Sequence, residues 1–240
     1  MSILHFIVRW FGLDTIACVI AIQFFLARYT GMISYSYIFG LCCVVGLVYM
    51  LDRYRDLQLR LDFNQRHLVY KHNVKWLLLS IVILGSYSIL FWTQLPVIAQ
   101  WIFLGCCFIG ILHLWLLKFG WYYWVKDGLV AIIFSIIMVL NYDQSMYVAL
   151  LIGIFALFNL TSHRLIETGM QSFDYVWVSS LIIGLLGVII SQFGLTWSLI
   201  IWIFSIVGHL YLIYKGRQFK WWYEIGELLF LIPFILQPIK

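Results

Sequence analysis

Asp52 and Asp56 stand four residues apart in YMLDRYRDLQLR, residues 49–60, where a long apolar run gives out. On a helix that spacing puts both carboxylates on one face, with Cβ atoms about 6 Å apart. Two ionised carboxylates so placed repel unless a cation lies between them or one takes up a proton. Magnesium suits such a pair, because one or two carboxylates hold it and waters and substrate phosphates complete its shell. The same residues also read as a ladder of ion pairs that fixes a helix end at an interface: Asp52 with Arg55, Arg53 with Asp56, and Asp56 with Arg60. Both readings are open at this point.

A second constellation lies in FNLTSHRLIETG, where Asn159, His163 and Glu167 are each four residues apart and Arg164 follows His163. In YYWVKDGLV, Lys126 supplies a compact positive charge at the edge of an apolar run. Carboxylates, a lysine and amide or imidazole groups around one pocket are what a magnesium-bound diphosphate requires. The plainer alternative is that His163 and Arg164 are helix-end cations and Glu167 a loop charge.

The elements that must position these groups follow from composition. The chain has 240 residues, 64% hydrophobic and only 10% charged, whereas soluble domains carry about 25% charged residues. So much apolar surface points to a single polytopic membrane domain over residues 1–240. Nine apolar runs approach the roughly 20 residues that cross a bilayer core. They fall at 12–30, 33–51, 75–93, 96–117, 127–142, 145–163, 175–193, 196–214 and 222–239. The last is the weakest, since it carries Glu224, Glu227 and Pro233. No cleavable signal peptide stands out, because His5, Arg9 and Asp14 interrupt the start and no small-residue cleavage site follows.

Lysine and arginine set the orientation. With the N-terminus inside, inner loops hold Arg53, Arg55, Arg60, Arg66, Lys71 and Lys75, then Lys118 and Lys126, Arg164, and Lys215, Arg217 and Lys220. The outer side keeps only Arg28 and Lys240. The chain is therefore expected in a plasma membrane of the bacterial inner-membrane type, N-terminus cytoplasmic and C-terminus outside. On that topology Asp14, Asp52, His113, Asp127, His163, Glu167, His209, Glu224 and Glu227 all fall in the cytoplasmic halves of their helices. Ionisable groups within spans are costly and suggest function, so their shared side predicts a cavity open to the cytoplasm. The five cysteines lie in apolar runs without C-x-x-C spacing and read as small packing residues. The net charge of +5 is accounted for by topology and is no nucleic-acid signal.

This layout resembles the UbiA superfamily of intramembrane prenyltransferases. The resemblance implies an all-α bundle of nine transmembrane helices around a cytoplasmic-facing cavity, with aspartate-rich motifs after the second and sixth helices. YMLDRYRDLQLR resembles the first motif: Asp52 and Asp56 stand at its last two acidic positions and Arg60 at the following basic one, while Val48 and Tyr49 replace its leading Asn-Asp. Lys126 resembles the lysine before the family's fifth helix. The second motif is degraded to NLTSHRLIE, with Asn159, His163 and Glu167 as the candidate substitutes.

By this resemblance Asp52, Asp56 and Glu167 hold magnesium, and Lys126, Arg60, Asn159, His163 and Arg164 bind the diphosphate. Asp14, His113, Asp127, His209, Glu224 and Glu227 are further cavity candidates. The implied reaction moves a prenyl group from a polyprenyl diphosphate to an unknown acceptor among the membrane lipids. The competing reading is a non-catalytic relative that binds lipid or a protein partner. A small transporter would need polar residues along the outer halves of the helices, which offer few. A haem site on His113 and His209 lacks supporting spacing.

Overall fold

The structure, a computed structural model, describes residues 13–59, 73–116, 123–140, 146–168, 172–193, 197–216 and 222–236. Among these residues there are nine α-helices and no strand. They are α1 (Leu13–Thr30), α2 (Tyr35–Leu59), α3 (Val74–Gln94), α4 (Val97–Leu116), α5 (Tyr123–Val139), α6 (Met146–Thr168), α7 (Ser172–Phe193), α8 (Trp197–Lys215) and α9 (Trp222–Leu236). Three carry stretches long and apolar enough to cross a membrane: Tyr35–Asp52 in α2, Val74–Gln94 in α3 and Tyr147–Ile166 in α6. The other six helices carry shorter apolar stretches. Every helix exposes large apolar side chains, with Ile98 77% and Ile183 72% exposed. Helices apolar on both buried and exposed faces suit a lipid surround rather than water.

The chain divides into two compact units, Met1–Ile20 with Ser34–Gln100 and Ala21–Ile33 with Trp101–Lys240. In the first, α2 and α3 pack antiparallel, with Tyr37 against Phe91, Phe39 against Tyr87, and Met50 and Leu77 sharing one buried cluster. Gly40 permits this approach, because a methyl group there would fall inside the Phe91 ring. Its apolar stretch ends at Asp52, and α2 continues from there without a break to Leu59.

In the second unit α6 is the central helix, packing against α5, α7, α8 and α9. Its Phe155 ring lies 4.8 Å from Phe230 and 4.9 Å from Trp202, and Trp202 lies 5.5 Å from Phe234. These four buried aromatics supply much of the packing surface. Two side chains of α1 satisfy carbonyls at helix ends, where no intrahelical donor remains. Gln23 Nε2 donates to the Met138 carbonyl of α5 at 2.8 Å. Arg28 donates to the Ile235 carbonyl of α9 at 3.0 Å and also to that of Phe234.

Pro233 lies inside α9. Having no N–H, it leaves the Leu229 carbonyl, four residues earlier, without its helical donor. The buried Ser205 hydroxyl of α8 donates to that carbonyl at 2.7 Å. A hydroxyl from a neighbouring helix is one of the ways a proline-interrupted span is re-satisfied. Ser205→Ala should therefore lower stability in detergent unfolding by about 1 kcal/mol. Adding Pro233→Ala should recover most of that loss by returning an N–H to α9. A double variant no more stable than Ser205→Ala would show that the two residues are not coupled.

Candidate functional site

Asn159, His163 and Arg164 lie on the last turns of α6, and the structure gives each a partner on a different helix. Asn159 and His209 of α8 meet through Oδ1 and Nε2 at 2.9 Å. His163 Nε2 lies 3.1 Å from Glu227 Oε1 of α9. Arg164 Nε donates to Asp127 Oδ2 of α5 at 3.1 Å. The end of α6, the end of α8 and the beginnings of α5 and α9 thus gather their polar side chains at one level.

His209 is held at both ring nitrogens. Its Nδ1–H donates to the Ser205 carbonyl at 2.8 Å, since a carbonyl can only accept. In the neutral ring Nε2 then accepts, and the Asn159 amide NH2 is the matching partner; in the imidazolium, Oδ1 is. With only 1% of His209 exposed, either state is fixed by its partners rather than by water. Phe158 at 5.3 Å and Phe155 at 6.1 Å flank the ring. Directly below this polar layer the aromatic core begins.

Gly226 lets α9 reach His163. A methyl group at that position would come within 2.8 Å of His163 Cε1. The glycine is two turns before Pro233 and one residue before Glu227, so the His163–Glu227 pair and the close approach come from the same short segment.

In the first unit, Asp52 Oδ1 accepts from Arg55 at 2.9 Å, the first rung of the ion-pair ladder. Asp56 follows one turn later on the same helix, but its side chain lies outside the described residues. The same is true of Asp14 on α1, His113 on α4, Lys126 on α5, Glu167 on α6 and Glu224 on α9; Arg60 lies outside altogether. Among the described residues no three His, Cys, Asp or Glu side chains converge in a way that would hold a metal ion.

Several participants escape a reading of the sequence alone. Ser205 is an unremarkable serine until Pro233 is placed beside it. Its one local sign is its position four residues before His209, on the same helix face. Gln23 and Arg28 do their work on carbonyls more than a hundred residues away, for which no local spacing exists.

Gly226→Ala should disrupt the His163–Glu227 pair and lower stability by about 1–3 kcal/mol, the usual cost of overpacking. Gly187→Ala on α7, where nothing lies within 4 Å of the added methyl, should be neutral or mildly stabilising. Thermal unfolding of both variants in the same detergent tests the contrast; equal behaviour would remove the close-approach role of Gly226. Compared with known proteins, the chain matches no family model, no curated protein and no solved structure.

Proposed function

We propose that the chain is an integral membrane protein with nine spans, N-terminus cytoplasmic and C-terminus outside, and that it is a divergent UbiA-type prenyltransferase. The exposed apolar side chains on every helix support the membrane reading, and the one-sided lysines and arginines support the orientation. One observation carries the enzymatic reading furthest. The continuity of α2 sets Asp52 and Asp56 on one face of a single helix, at the end of an apolar stretch that is long enough to cross a bilayer.

Magnesium fits this donor chemistry. The carboxylate oxygens are hard ligands, and a one- or two-carboxylate site needs no third protein group. Asp52 is one-third exposed on its side chain and held by an arginine rather than by a buried apolar wall, so its carboxylate can change partners. Asp52 and Asp56 would hold the ion, which when bound supplies charge neutralisation for a leaving diphosphate. Arg55 then becomes a second cation for the same phosphates. The acceptor attacks the prenyl carbon as its bond to the diphosphate oxygen breaks, and the acceptor's proton is lost.

A second reading is favoured by the ion pairs themselves. Asp52 with Arg55, Asp127 with Arg164 and His163 with Glu227 are each matched within the protein. A non-catalytic relative that kept the fold and bound lipid or a partner would need nothing more.

Purified protein should release diphosphate from an allylic prenyl diphosphate only with magnesium. Asp52→Ala and Asp56→Ala should each lower that rate by about a hundredfold or more, the range seen when a stabilising group at a developing charge is removed. Normal turnover in both variants would sink the magnesium site. Absence of release from the unmodified chain, with lipid binding retained, would favour the non-catalytic reading.

A further inference from the structure

Helix α8 separates two faces along its whole length. Trp202, Ser205, His209 and Leu212 are buried against α6 and α9. On the other side Ile200, Phe204, Val207, Tyr211 and Tyr214 are 54% to 82% exposed. These five fall within an arc of about 80° on a regular helix and form a stripe about 21 Å long. One leaflet of a bilayer offers about 15 Å of hydrocarbon, half of the core, so the stripe outruns it. At its end stands Lys215, whose Nζ lies 5.8 Å from the centre of the Tyr211 ring and 5.7 Å from that of Tyr214.

We propose that this face of α8 binds an anionic phospholipid, with an acyl chain along the stripe and the headgroup phosphate on Lys215. The proposal rests on the membrane reading above, which puts the end of α8 at the cytoplasmic surface. It is independent of prenyl transfer.

The surroundings of Lys215 set it apart. Arg55, His163 and Arg164 each face an acid, and Arg28 faces backbone carbonyls. Lys215 has neither among the described residues and lies over two aromatic rings instead. A ring face attracts the charge but accepts hydrogen bonds only weakly. The ammonium therefore keeps its three N–H groups for an oxyanion.

The aromatic partners also fit a headgroup level. Tyrosine concentrates at membrane–water interfaces, with its ring in the apolar layer and its hydroxyl in the wet one. Gly216, at φ 56°, ends α8 directly after Lys215, so the apolar stripe stops where the charge begins. Arg217 and Lys220 follow within five residues, interleaved with Phe219 and Trp221.

Charge selects the lipid. Phosphatidylcholine carries a phosphate already neutralised by its own choline, whereas phosphatidylglycerol is a net anion. A basic residue near an anionic surface contributes about fivefold in binding.

The test uses the full chain in phosphatidylcholine vesicles with a trace of phosphatidylglycerol that bears a diazirine on its acyl chain. After illumination, crosslinks should map to the exposed stripe of α8. They should exceed those from the matching phosphatidylcholine probe at least about fivefold. Lys215→Gln should bring the two probes to parity, and Lys215→Arg should keep the preference. Lys215 is exposed, so neither change disturbs the packing of α8.

Equal labelling of α8 by both probes, or a preference that survives Lys215→Gln, overturns this proposal and leaves the membrane reading standing. Suppression of the labelling by added glycerol 3-phosphate also overturns it, assigning Lys215 to a soluble phosphoester instead. Failure of the chain to insert into the vesicles overturns both.

Discussion

Pro233 takes one backbone donor out of α9, and the polar interior of the second unit is arranged around the carbonyl it leaves behind. Ser205 Oγ donates to Leu229, the Ser205 carbonyl accepts from His209 Nδ1, and His209 Nε2 meets Asn159. The series joins α9 to α8 and α8 to α6 through groups that are nearly or wholly buried. In such surroundings a hydrogen bond is strong and an unmade one is expensive, so each link depends on the next. A helix that slipped along its neighbour would break more than one link at once. Apolar packing alone tolerates a slip far better, since one leucine can replace another. Register here is set by polar groups, and the aromatic core then packs within that register.

The polar and aromatic layers divide the second unit along its helices. Toward one end lie the two ion pairs and the Asn159–His209 pair; next come Phe155, Phe158, Trp202, Phe230 and Phe234, packed ring on ring. At the far end Gln23 and Arg28 donate to helix-terminal carbonyls. A continuous polar track through this unit is thus interrupted by stacked rings.

Helix positions were legible in the sequence because apolar runs and their polar breaks mark them directly. The expected run 75–93 and the observed Val74–Gln94 agree to within a residue at each end. The run ending at residue 51 shows the limit of that criterion, for α2 goes on to Leu59. Hydropathy records where apolar side chains stop, whereas a helix continues wherever its backbone bonds and pairs such as Asp52–Arg55 sustain it. Pro233 counted against the last run, and from sequence alone that was reasonable. The compensating hydroxyl sits on another helix, and no local pattern announces it. Asn159 and His163 at the end of α6 stood out by their spacing of four, and Asp127, Glu227 and His209 as further cavity candidates, but which pairs with which did not show. Asp127, Glu227 and His209 lie 37, 64 and 50 residues from the groups they bind, and only the packing of helices brings them together.

The bond from Arg28 to the end of α9 spans 207 residues. It ties α1 to a helix that leaves the ribosome some two hundred residues later. Contacts so distant in sequence are entropically slow to form, and this one has no partner at all until α9 has been synthesised. Until then Arg28 can donate to the Phe24 carbonyl of its own helix but not to α9. Completion of the second unit is an event that follows synthesis of α9 and cannot proceed helix by helix alongside it. Truncation within α9 would accordingly disturb α1 as well.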